Sequence, residues 1–174
     1  MTLFLVRHGR PLIVSDRVAA TWELDPAGFD DVWALRDRLP YDAAWFSSPE
    51  PKAVGTAQLL TDGEVGIVDD LREMVRESTD WFEDFDTVVR RAFEHPDEPA
   101  QPGWESLTAC RHRVATAVRT ILRVHADEDV VLVGHGTAWT VLVADLTGAA
   151  PDLDRWRGLG MPDLITVENP LTSR

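Results

Sequence analysis

Cysteine is almost missing from this chain: 174 residues contain one, Cys110. That rules out an internal disulfide and any zinc site built from clustered thiolates, and it fits the reducing interior of a cell. Long apolar runs are missing as well. Thr2–Val6 is far too short for the hydrophobic region of a secretion signal, and no segment approaches the roughly 20 apolar residues of a membrane helix, so the expected location is cytoplasmic with no membrane partner. Basic residues are outnumbered by acidic ones, 17 against 30, for a formal charge of −13. Such a surface repels nucleic-acid backbones, which argues against a nucleic-acid partner and makes any local cationic pocket informative. No His-x-x-x-His pair or Asp/Glu cluster suggests a metal, and nothing in the chain implies a cofactor.

What is present is enough apolar residue, 44%, for one sizeable core, so residues 1–174 are expected to form a single domain. Strand signals recur along the chain at Thr2–Val6, Ala43–Ser47, Val65–Val68, Val130–Val133 and Leu164–Val167. Helical periodicity falls between them. Asp25-Pro26 reads as a capped helix start, with Phe29, Val32, Trp33 and Leu39 as its stripe. A helix from about Asp84 to Glu94 would bury Phe85, Val88, Val89 and Phe93. The longest periodic segment runs on from Leu107 through Cys110, Val114, Val118 and Leu122, which makes Cys110 a buried filler and not a nucleophile. Thr137–Leu146 is apolar on nearly all sides and reads as a buried helix; after Gly148 the chain reads as a loop as far as Pro162. Strands alternating with helices predict a three-layer α/β/α sandwich around a mainly parallel sheet.

Two of these strands end alike. Leu3-Phe4-Leu5-Val6 runs into Arg7-His8-Gly9, and Val130-Val131-Leu132-Val133-Gly134 runs into His135-Gly136-Thr137. A lone histidine at a strand end is commonly a structural hydrogen-bonding residue. Two of them, on strands that are neighbours in one sheet, would lie side by side at the carboxyl edge where α/β proteins bind ligands. Each is followed by glycine, which lets the backbone turn and a ligand approach.

Arg7-His8-Gly9 together with His135-Gly136 resembles the histidine phosphatase superfamily, the phosphoglycerate-mutase-like family. The resemblance extends from Leu3 to Val167. It includes Ser47–Ala57, where the family has Ser-x-x-x-x-Arg-Ala-x-x-Thr-Ala and this chain places Lys52 at the arginine; Leu71-Arg72-Glu73, similar to the family's Leu-x-Glu; and Glu105-Ser106 with Arg113. It implies the phosphoglycerate-mutase-like fold, a small phosphorylated substrate, and no metal. His8 would be the nucleophile, Glu73 the proton donor with Glu77 as its alternative, and His135 the second histidine. Arg7, Lys52, Gly9, Gly136 and Thr137 would bind the substrate phosphate, Thr137 through a backbone amide at the start of the helix behind His135. Acidic neighbours Asp69, Asp70 and Glu77, together with partial burial, are expected to raise the Glu73 pKa. Lysine keeps the charge of the expected arginine but lacks its planar fork; by itself it would read as a solvated surface charge. Residues 75–102, with Trp81, Phe82, Phe85 and Phe93 among many carboxylates, are the least family-like segment and would form a cap. The loop before Leu24 lacks the Asn and Arg of the family's mutases. The expectation is therefore a phosphomonoester hydrolase, with mutase-type phosphoryl transfer or a phosphate-binding module that has lost turnover as the alternatives.

Overall fold

Along the first strand the side chains divide between two cores, and that division explains the layers. The structure is a computed structural model and describes residues 1–79, 82–168 and 170; Trp81 lies outside them. Strands β1 (Thr2–Arg7), β2 (Ala43–Ser47), β3 (Val65–Ile67), β4 (Asp129–Gly134) and β5 (Asp163–Glu168) form one sheet in the order β3-β2-β4-β1-β5. The first four pair in parallel, and β5 closes the edge antiparallel to β1. Helices are α1 (Phe29–Trp33), α2 (Pro51–Leu60), α3 (Phe85–Glu94), α4 (Leu107–Val124), α5 (Gly136–Thr147) and α6 (Leu153–Gly158). Leu3, Leu5, Val130 and Leu132 pack toward α4 and α5, whereas Val6, Val131 and Val133 pack toward α1 and α2. Because β4 is covered on both faces, its sequence is apolar at consecutive positions. Among the described residues no helix is long and apolar enough to cross a membrane.

Two helical expectations need correction. The predicted helix after Asp25 is broken: a 3₁₀ turn at Pro26–Gly28, the five residues of α1, and a second 3₁₀ turn at Arg36–Arg38. Its Asp25 cap is present, accepting from the Ala27 amide at 2.9 Å. Only Val32 and Leu35 enter the core, while Phe29 and Trp33, four residues apart on the opposite side, are 38% and 55% exposed. The stretch after Gly148 is not all loop, since Asp152 accepts from the Arg155 amide at 2.9 Å and so caps α6. In α3, Val89 and Ala92 are buried, but Phe85 stays at the surface, 36% exposed.

The register of β1 on β4 pairs Arg7 with Gly134, so His8 and His135 follow at adjacent strand ends. From there the two segments part: the chain after β1 heads for the α1–α2 face and the chain after β4 enters α5 on the other. A crevice between neighbouring parallel strands whose connections leave to opposite faces is where α/β sheets bind ligands.

Candidate active site

His8 and His135 meet edge to face, ring centroids 5.2 Å apart at 63°. The His8 amide bonds the Gly134 carbonyl at 2.9 Å, which carries the strand pairing one residue past the sheet. His8 Nδ1 lies 2.7 Å from the Gly9 carbonyl oxygen. A carbonyl can only accept, so the neutral ring holds its proton on Nδ1 and its lone pair on Nε2. Burial, the neighbouring His135 ring and the charges of Lys52 and Arg7 lower the His8 pKa to about 3, against the Gly9 bond, which favours the protonated ring. The ring is therefore neutral at pH 7. Gly9 is required by packing: a Cβ there would stand 2.5 Å from Val32 and 2.9 Å from Leu24. Its amide donates to Thr56 Oγ1, which in turn donates to the Lys52 carbonyl on α2.

His135 is fully buried, with Nε2 2.7 Å from Ser48 Oγ and 3.4 Å from Glu50 Oε1. Burial lowers its pKa to about 3, aided by Lys52, Arg7 and Arg76 and opposed by Glu73. Arg7 comes off the end of β1, donating from Nη1 to the Leu159 carbonyl at 2.6 Å. Gly136 makes room for it, since a Cβ there would lie 3.2 Å from the guanidinium.

Lys52 is no surface charge: it is 4% exposed, and its ammonium bonds Glu50 Oε2 at 2.5 Å and the Ala19 carbonyl at 2.7 Å. Glu50 also accepts the Glu73 amide on Oε1 at 2.9 Å. One buried carboxylate thus ties Lys52, His135 and the loop after β3 together.

Glu73 departs most from expectation. Its two oxygens accept the amides of Thr137 (3.1 Å) and Ala138 (2.9 Å), at the first turn of α5. The amides expected to face a substrate anion face this carboxylate instead, as a helix N-terminus favours. Burial alone would raise its pKa, but the charged forms of His135 and Arg76, with the Met74 and Thr137 amides, outweigh it and bring the pKa to about 2. Asp69, Asp70 and Glu77 do not set the balance. The loop itself is clamped from α4, where Arg113 bonds Glu105 at 2.7 and 3.1 Å and reaches the carbonyls of Asp70, Arg72 and Glu73.

Arg7, His8, Glu50, Lys52, Glu73 and His135 line a cavity of about 520 Å³, with Glu77 at its wall. Gly9, Gly136 and Thr137, expected to bind the phosphate, are absent from the lining: the Gly9 amide is taken by Thr56, and the Thr137 hydroxyl accepts from Arg76 and Trp156. Sequence reasoning missed Glu50 and Arg76. Glu50 sat unremarked inside the Ser47–Ala57 motif. Arg76, packed between Phe85 and Trp104 at 4.9 Å from each ring, is the only basic residue between Arg72 and Arg90; that isolation in an acidic stretch was the available signal. Cys110 is fully buried, which pushes its thiol pKa up.

A neutral imidazole with a free Nε2, beside a second imidazole and three cations, is equipped to attack and hold a phosphoryl group. Comparison with known proteins points the same way. The family model described as histidine phosphatase superfamily (branch 1) matches residues 3–168. Among solved structures, a phosphoserine phosphatase variant from Entamoeba histolytica, in complex with phosphoserine, superposes with a TM-score of 0.76 at 20% identity, over 95% of this chain and 89% of that one. YhfR from Bacillus stearothermophilus gives 0.76 at 24% identity over 96% and 90% of the two chains. A mycobacterial glucosyl-3-phosphoglycerate phosphatase gives 0.73 at 22% identity over 95% and 88%. No curated protein matches the sequence significantly.

Proposed function

The chain belongs to the histidine phosphatase superfamily, branch 1, and on that premise we propose that it hydrolyses phosphate monoesters through a phosphohistidine on His8. The observation that carries this reading is the His8 ring, neutral and tautomerically fixed by its Nδ1–Gly9 bond, next to His135 in a cavity with Arg7 and Lys52. His8 Nε2 attacks phosphorus in line, the P–Nε2 bond forms, and the P–O bond to the leaving alkoxide breaks. Arg7, Lys52 and Arg76 supply without a metal the positive charge the transition state needs around the equatorial oxygens, with the neutral His135 ring beside them.

Glu73 gives the leaving oxygen its proton. The entering phosphate dianion places negative charge beside Glu73, which raises its pKa from the low value set by the empty cavity and lets it carry that proton. Water then attacks the phosphohistidine, Glu73 takes the water's proton, and the P–N bond breaks to release inorganic phosphate and neutral His8. The phosphatase names of the structural relatives support monoesters as the substrate class. Hydrolysis is favoured over mutase chemistry because residues 75–102, proposed as the cap, present Glu77 to the cavity, which repels a carboxylate-bearing phosphoglycerate.

Rapid acid-free quenching with a substrate labelled on phosphorus is expected to trap an acid-labile, base-stable phosphoprotein, absent in His8→Ala, and turnover is expected to survive EDTA. Equal labelling in wild type and His8→Ala would remove His8 as the nucleophile. Interconversion of phosphoglycerates faster than phosphate release would replace the hydrolase with a mutase.

A further inference from the structure

Beyond the cavity that holds His8 lies a second one of about 320 Å³, and the two share Ala19, Trp22 and Arg76 in their walls. Four rings, Trp22, Phe82, Phe85 and Trp104, line the second cavity together with Arg76, Arg17, Ala19 and the hydroxyl-bearing Ser15, Ser78 and Thr79. These rings are already set against one another, with Phe85 6.2 Å and Phe82 5.8 Å from Trp104 between centroids. Arg76 is the partition. Its guanidinium packs on Phe85 and Trp104 on one side, while on the other its charge acts on Glu73 and its Nη2 reaches Thr137 Oγ1 at 3.4 Å. Whatever leaving group departs from a phosphoryl held at His8 has this aromatic chamber as its neighbouring space.

Resting on the phosphatase reading, we propose that the chamber takes the leaving group of the substrate, and that this group carries an aromatic ring. Two features argue for it. Among the described residues the lining holds no carboxylate, whereas the His8 cavity holds Glu50, Glu73 and Glu77, so an apolar group meets none of those acids in the chamber. The volume is at the lower end of the range of small-molecule sites, about 300–1,000 Å³, and suits a single ring system. The apolar faces of Trp22, Phe82, Phe85 and Trp104 suit a ring better than a hydroxyl-rich sugar, and a small acid such as phosphoglycerate would leave the chamber empty.

The test separates the leaving group from the chemistry. His8→Ala protein is titrated calorimetrically with 2-phenylethyl phosphate, ethyl phosphate and glucose 6-phosphate, all esters of primary alcohols with the same phosphate charge. The aromatic ester is expected to bind at least about tenfold more tightly than ethyl phosphate, roughly 1.4 kcal/mol, with glucose 6-phosphate no better than ethyl. Adding Phe85→Leu, which keeps apolar volume but removes the ring, is expected to cut the aromatic preference severalfold. Equal affinities for the aromatic and ethyl esters, or a preference for the sugar ester, would overturn the proposal. Phosphate release by the wild-type protein is measured separately: no release from any ester would sink the hydrolase reading while leaving the binding preference to decide this one.

Discussion

Lys52 can sit buried in an anion-binding cavity because Glu50, two residues earlier, is buried with it. An isolated ammonium in that position would pay a desolvation penalty of several kcal/mol, which the 2.5 Å contact to Glu50 and the bond to the Ala19 carbonyl offset. Removing either partner leaves the other charge uncompensated. Lys52→Met and Glu50→Gln are each expected to cost about 3–5 kcal/mol in urea unfolding, and the double variant distinctly less than their sum. Strict additivity would show that the pair is not energetically coupled. The two substitutions should act oppositely on ligand: Lys52→Met weakens vanadate binding by about tenfold or more, the worth of one charge-assisted bond, whereas Glu50→Gln tightens it by removing the carboxylate that competes for the ammonium. Lys52→Arg is expected to keep turnover, since charge is retained and a planar fork is added.

At the scale of elements, α4 does more than cover the sheet. Arg113 spans from Glu105 to three carbonyls of one loop, at Asp70, Arg72 and Glu73, and Glu105 Oε2 takes the Val75 amide at 3.1 Å. The loop bearing Glu73 is therefore held from a helix that contributes no residue to the lining of the His8 cavity. Arg113→Met is expected to raise amide exchange across residues 69–75 and to lower kcat while leaving the vanadate dissociation constant near wild type; a change in vanadate affinity without faster exchange would mean that Arg113 acts on the phosphate directly. The clamp also shows what a sequence can carry. β1 and β4 were legible because strands buried on both faces must be apolar throughout, and the His-Gly steps after them marked the site. The broken helix at Pro26–Arg38 and the short α6 were not, because five or six residues give too little periodicity to distinguish helix from turn. That amides at the start of α5 would face an anion was readable. That the anion is Glu73 was not, since only the folded chain brings a loop after β3 onto a helix more than sixty residues later.

Over the whole molecule, an acidic chain with a charge of −13 suggests that mild acidification should stabilise the fold by relieving repulsion. The buried site argues the reverse, and the pH window decides. His8 and His135 have folded pKa values of about 3, below the ordinary 6.5 of an exposed ring. The unfolded chain therefore takes up these two protons first as pH falls through 6.5, while the folded chain refuses them; their stabilising effect is complete above pH 6.5 and is lost on the way down. Each proton is worth about 1.4 kcal/mol per pH unit once the unfolded rings are fully protonated, so the two together remove on the order of 3 kcal/mol between pH 6.5 and 5. Ordinary carboxylates titrate near pH 4, so little repulsion is relieved in that interval. Below about 4.5, Glu73, with its pKa lowered to about 2, adds a third loss of the same sign. Urea unfolding at pH 7, 6 and 5 is expected to show falling stability for the wild type and a slope reduced by about 1.4 kcal/mol per pH unit in His8→Ala. Because the nucleophile stays neutral throughout this range, the acid limit of turnover should follow unfolding and shift to lower pH when an osmolyte such as sucrose stabilises the fold. A limit that stayed fixed while the unfolding midpoint moved would mean that a titrating group, and not the fold, sets it.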